Sequence, residues 1–219
     1  MRDGDVMKYS LPKQELNNWK GRLAERIVQL YIRDELIPRL KSQGWDEVIF
    51  SKETWFDELM LLEKPEERFF ISNGLFPDEQ FLLSFQRLTK QLLSNAPDGF
   101  LVKLKKTREV KTLDHALKEF GLEGSSWNWG SCSFEPSQHN KREKLPVVSG
   151  EIEVVEVKYG KSIIPPHQKK SYTNVVSGGH SVRFFNVVIR SFDKNDFELA
   201  EKVIANPRDL RTFPAKLKQ

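Results

Sequence analysis

The sequence predicts an α/β protein: a central mixed sheet of four or five strands, flanked by helices and interrupted by a helical insertion and a long loop-rich one. Three observations carry that expectation. The first is the run Gly150-Glu151-Ile152-Glu153-Val154-Val155-Glu156-Val157-Lys158-Tyr159-Gly160, where Val and Ile dominate between glycines, as in a strand near the middle of a sheet. The second is a long helical periodicity ahead of it, from Lys13 to Leu40. The third is another β-rich run after it, Ser181 to Arg190, reached through a helix-like stretch.

Taken in order, residues 1–12 are polar and aperiodic and read as a loose tail. The helix from Lys13 carries Leu16, Trp19, Leu23, Ile27 and Leu30 at spacings of three and four; Pro38 marks a kink or its frayed end, and Gly44 closes it. Gly21 and Glu25 share a face away from that stripe. A glycine costs a helix interior about 1 kcal/mol against alanine, so Gly21 points to close packing or to close approach of a ligand. Trp45–Phe50 is the first expected strand. Two helices follow, Thr54–Leu62 and Pro77–Leu93, the latter with Phe81, Leu82, Phe85, Leu88 and Leu92 as its stripe. Asp98–Leu104 is the second strand, opened by the turn Pro97-Asp98-Gly99. Leu113–Phe120 is a short helix, and Gly124–Ser131 is a turn-rich loop whose Trp127 and Trp129 pack over an insertion or, alternatively, stack on bases. After the Gly150–Gly160 strand come a connection, a helix from Gln168 to Val176 stopped by Gly178-Gly179, the Ser181–Arg190 strand, and a helix from Asp193 to Ala205 ahead of a basic tail.

The 219 residues suit one domain with insertions, and 38% apolar with 30% charged residues suits a soluble protein with a highly charged surface. No apolar run approaches the roughly 20 residues that span a bilayer, and the N-terminus lacks a signal-peptide pattern. One cysteine, Cys132, excludes an internal disulfide, a four-cysteine iron–sulfur cluster and a cysteine-based zinc site; it fits a reducing cytoplasm. The net charge of +4 favours a polyanionic partner. Two basic runs, Lys103/Lys105/Lys106/Arg108/Lys111 and Lys141/Arg142/Lys144, are either solvated faces or phosphate-binding surfaces.

Strand alternation places Ile152, Val154, Glu156 and Lys158 on one face and Glu153, Val155, Val157 and Tyr159 on the other. A carboxylate and an ammonium two residues apart on an apolar strand are costly to bury unpaired. They form either a structural ion pair or a pair that acts together on something. Pro97-Asp98 stands upstream, opening an apolar run. Gln168 and Tyr172 stand downstream, four apart on one helical face.

These residues resemble the PD-(D/E)xK nuclease superfamily, with Pro97-Asp98 and Glu156-Val157-Lys158 in the place of its motif. Gln168-x-x-x-Tyr172 resembles the motif that follows the lysine in RecB-type exonucleases. Gly21-Arg22-Leu23-Ala24-Glu25-Arg26 is similar to the first helix of archaeal Holliday-junction resolvases, where the glutamate assists metal binding; the alternative for Glu25 is a surface carboxylate paired with Arg22. The element order helix, strand, strand, strand, helix, strand matches the superfamily core over about 15–50, 95–105 and 148–192. Insertions then occupy about 51–94 and 106–147, and a C-terminal helix and basic tail occupy 193–219.

The resemblance implies a restriction-endonuclease-like core and a Mg2+- or Mn2+-dependent deoxyribonuclease. Glu25, Asp98, Glu156 and the Val157 carbonyl would bind metal, and Asp98, Glu156 and Lys158 would be catalytic, with Lys158 beside the attacking water. Lys161, Gln168, Lys169 and Tyr172 would contact DNA. The Gln-x-x-x-Tyr feature favours exonuclease action, the first-helix likeness a homodimeric junction endonuclease; a non-catalytic nucleic-acid binder is the competing class. One departure stands out. Residues 98 and 156 are 58 positions apart, where most members have a much shorter link, and Glu135 or Glu151 would be the substitute carboxylate should Asp98 and Glu156 not meet.

Overall fold

A computed structural model describes residues 12–52, 62–92, 97–129, 132–160, 163–191 and 196–212. The expected N-terminal tail (residues 1–11), nearly all of the expected Thr54–Leu62 helix, Lys161 and the basic tail beyond 212 lie outside those residues.

The first helix, α1 (Lys13–Tyr31), runs through a π-helical turn (Ile32–Leu36) into α2 (Ile37–Ser42). The wide turn has a local cause. Pro38 has no N–H, and its ring crowds the carbonyl four residues back. The Ile37 N–H reaches Ile32 O, five residues back, so the helix continues past the proline. The buried stripe is Ala24, Val28, Ile32, Leu36 and Leu40, which corrects the expected one: Leu16, Trp19 and Leu30 are exposed, Trp19 at 58%. Small and β-branched residues let the helix settle close onto Leu101, Val155, Phe185 and Val187 of the sheet. Gly21 and Glu25 flank this buried stripe, half-buried, and do not point away from the sheet.

The remaining elements are β1 (Glu47–Lys52), α3 (Pro65–Ser72), β2 (Phe76–Pro77), α4 (Glu79–Leu92), β3 (Gly99–Thr112), α5 (Leu113–Phe120), the β4–β5 hairpin (Trp127–Trp129, Cys132–Phe134), β6 (Lys144–Tyr159), α6 (Pro166–Ser177), β7 (Ser181–Ser191), β8 (Asp196–Ile204) and α7 (Pro207–Thr212). The sheet is mixed and six-stranded, ordered β1-β3-β6-β7-β8 with β2 added along β6. Among the described strands only β6–β7 and β2–β6 are parallel, and α6 is the crossover that the β6–β7 pair requires. Helices α1 and α2 cover one face. On the other, Phe100, Val102, Ile152, Val154 and Phe184 pack with Phe70, Phe85, Leu88, Leu92, Tyr172 and Val175 from the helices. Among the described residues no helix is long and apolar enough to cross a membrane.

Two expectations need correction. Residues 196–204 form a strand, β8, antiparallel to β7, where a helix from Asp193 to Ala205 was expected. Its Glu, Leu, Ala and Lys favour a helix locally, but pairing along the whole of β7 outweighs that weak preference. The second correction concerns the loop-rich insertion. β3 runs on past the core to Thr112, and β6 starts early at Lys144, so the two form a paired arm with a bulge between Lys106 and Val110. Within that insertion Trp127 is 5% exposed, stacked on Phe134 at 4.2 Å with the Arg68 guanidinium 4.6 Å from its ring centre, so it packs and does not await a base. The α5 helix falls on its expected residues, capped by Thr112 Oγ1, which accepts the His115 N–H, and stopped by Gly121 at φ +62°.

A chain of charges crosses the α1 side of the sheet. Arg183 bridges Glu153 and Glu201; Glu153 also takes Lys103 Nζ at 2.7 Å, and Glu201 also takes Arg39 and the Tyr31 hydroxyl, each at 2.9 Å. Glu153, Arg183 and Lys103 are buried, so the first of the expected surface lysines is spent inside the fold.

Candidate active site

Strand pairing decides where Asp98 lies. Gly99 pairs with Val155 in the β3–β6 ladder, so Asp98, one residue before, falls across from Glu156. Gly99 lets β3 pack against its other neighbour, β1: a Cβ there would come within 2.6 Å of Ser51 O and 2.8 Å of the Phe50 ring. Asp98 Oδ2 accepts the Val157 N–H at 2.5 Å, which ties the strand start to the neighbouring strand. The 58-residue link leaves along β3 and returns along β6. Its length therefore does not separate the two carboxylates.

Alternation turns Glu156 toward α6, together with Ile152 and Val154, and buries it to 2%. There the Tyr172 hydroxyl donates to Oε2, and Lys158 Nζ pairs with Oε1. Lys158 Nζ also donates to Gln168 Oε1 at 3.1 Å. Gln168 and Tyr172 occupy one face of α6, so a single helix supplies a partner to each member of the Glu156–Lys158 pair. The Tyr172 ring is held edge-on against Phe184, 5.6 Å between centres.

The cluster is rich in negative charge. Burial first, then the Glu156 charge and further the Glu25 charge, push the Asp98 carboxyl from its ordinary 3.8 to about 8; the Val157 N–H and Lys158 only partly oppose them. Burial, then Glu156, also raises the Tyr172 phenol, keeping it a donor. Between pH 4 and 8 the folded chain thus holds a proton on Asp98 that the unfolded chain has lost, so stability falls as pH rises through that window. In EDTA, the melting temperature is expected to decline from about pH 4 to about 8, and Asp98→Asn to flatten the decline.

Comparison with protein-family models, with curated proteins and with solved structures finds no match. The site therefore rests on its own geometry. That geometry brings together Asp98, Glu156, Val157, Lys158, Gln168 and Tyr172. Glu25 acts on Asp98 through its charge, but among the described residues no three His, Cys, Asp or Glu side chains form a ready metal-binding group. Asp98 and Glu156, with nearby backbone carbonyls, are oxygen donors of the kind Mg2+ and Mn2+ take; such ions keep several waters and need only one or two carboxylates.

Other assignments change. Tyr172, expected to contact DNA, is fully buried and its hydroxyl donates to Glu156. Glu151 pairs with Lys103 and Glu135 with Gln138, so neither substitute carboxylate joins the site. Lys169 is half-buried on α6, and His167 beside it is exposed. The Tyr172–Glu156 link was open to sequence reasoning: alternation aims Glu156 at the face carrying Ile152 and Val154, and the apolar face of the next helix carries Tyr172, Val175 and Val176.

Gly21 adds a separate observation. A Cβ built there meets nothing within 4 Å, so no packing among the described residues requires the glycine. Gly21→Ala is expected to stabilise the fold by up to about 1 kcal/mol in chemical denaturation. If a ligand passes close to α1, the same substitution should weaken its binding.

Proposed function

We propose that this chain is a metal-dependent nuclease that hydrolyses DNA phosphodiester bonds on a restriction-endonuclease-like core. The observation that carries this reading is the adjacency of two carboxylates, half-buried Asp98 just before β3 and buried Glu156 on β6, beside the single ammonium of Lys158. The order α1, β1, β3, β6, α6, β7 supports the core assignment. The pressure that raises Asp98 supports a cation there, since a divalent ion would relieve both the crowding and the burial of negative charge.

Asp98, Glu156 and the Val157 carbonyl would hold Mg2+ or Mn2+, with Glu25 adding negative charge from α1. When bound, the ion supplies Lewis acidity and lowers the pKa of a coordinated water. The chain's own contribution is orientation. Tyr172 holds one Glu156 oxygen in place, and Gln168 keeps the Lys158 ammonium at the mouth of the pair. A compact ammonium there hydrogen-bonds the attacking water or a phosphate oxygen as negative charge develops.

The test is digestion of linear, circular, single-stranded and branched DNA with Mg2+ or Mn2+ against EDTA. Metal-dependent cleavage is expected. Folded protein that cuts none of these with either ion would overturn the reading, and unchanged DNA binding in EDTA without cleavage would assign the chain to the non-catalytic binders.

A further inference from the structure

Two basic runs that are separate in sequence lie along the same β3–β6 arm. Lys105, Lys106 and Arg108 lie on β3 beyond the core, and Lys141, Arg142 and Lys144 lie just before or at the start of β6; all six are exposed. Pairing places them in sequence along the arm: Lys105 and Lys106 sit opposite Ser149 and Val148 near the core, while at the tip Thr112 sits opposite Lys144, the Leu113 N–H donates to the Glu143 carbonyl at 2.9 Å, and the Asp114 N–H to the Lys141 carbonyl at 3.2 Å. At the bulge, residues 107–109 of β3 face a single residue of β6, which carries Arg108 out of the regular ladder.

The neighbouring lysines make the contrast. Lys103 is buried between Glu151 and Glu153, and Lys111 is paired with Glu119 at 2.5 Å. Lys106, Arg108, Lys141, Arg142 and Lys144 have no ion pair among the described residues. The acids along the arm are Asp46 near its base and Glu109, Asp114 and Glu143 further out, four carboxylates against the six exposed cations named above. Cations are in excess.

We propose that this arm is a second nucleic-acid contact, gripping phosphates of a duplex whose reacting strand lies at Asp98 and Glu156. The identity of the partner as DNA rests on the nuclease reading. Fourteen strand residues, roughly 46 Å, separate Asp98 from Thr112 at the tip, and eight separate it from Lys106, roughly 26 Å of extended chain. The shorter distance is about eight base pairs of duplex at 3.4 Å each. Contacts of this kind position a duplex without reading its sequence.

The experiment uses the full chain carrying Glu156→Gln, in EDTA, with labelled hairpin DNA of about six and about 24 base pairs, stems below and above the proposed span. Lys106→Glu, Arg108→Glu and Arg142→Glu together are expected to weaken binding of the long stem about tenfold or more and to lower its salt slope by roughly two to three, while the short stem is little affected. Lys106→Arg with Arg108→Lys should leave both unchanged. An unaltered salt slope and affinity for the long stem in a triple variant with an unchanged melting curve would overturn the proposal, as would no binding of the long stem by the parent chain. Cleavage by the wild-type chain is scored separately: a chain that cuts DNA but ignores the patch charges keeps the nuclease reading and loses this one, and a chain that never cuts but needs those charges for binding does the reverse.

Discussion

Glu156→Gln is expected to lower metal-dependent DNA cleavage by roughly a hundredfold or more, the scale of removing one preorganised charge from a site of developing charge. The amide keeps the shape of the carboxylate and can still accept from Tyr172. It loses the charge that Lys158 pairs with and that a divalent ion needs. It also removes one of the charges that crowd Asp98, so the folded variant should be no less stable than the parent. That combination separates a working site from a structural ion pair: removing a partner from a purely structural buried pair would cost stability. Lys158→Ala should lower cleavage by a similar factor. Steady-state cleavage rates and thermal melts of both variants check the claim, and wild-type rates in both, with unchanged circular dichroism, would remove Glu156 and Lys158 from the site.

Arg183→Ala should destabilise the fold by about 3–5 kcal/mol, the cost of leaving a buried charge without its main partner. Glu153, 3% exposed, would retain only Lys103, and Glu201 would lose the guanidinium that links β8 to β7. The loss should appear as a lower midpoint in urea denaturation at unchanged slope. Replacing both partners, Glu153→Gln with Arg183→Met, should recover much of it, because no charge is then stranded. A loss below about 1 kcal/mol for Arg183→Ala would mean that water or Lys103 already balances Glu153.

These two residues show where reading the sequence stops. The β6 strand, its alternation and the aim of Glu156 toward one face were all legible, because a strand's period of two is a local property. The span of α1 and α2, the α5 helix and the β7 strand were legible for the same reason. Arg183 was equally visible, but only as one cation within an apolar run; its burial between two glutamates depends on β6 and β8 lying on either side of β7.

The sequence by itself determined which segments are helix or strand wherever periodicity was strong, and that a carboxylate and an ammonium share one face of β6. It did not determine the face on which α1 docks, since a second apolar stripe with Leu16 and Trp19 competes with Ala24 and Val28. Nor did it determine that residues 196–204 would pair as a strand. Only the tertiary structure decided that Asp98 meets Glu156 across 58 residues of chain. Pairing and burial are set by what lies beside a segment in space, and a continuous two-stranded arm brings its ends together whatever the length of the link between them.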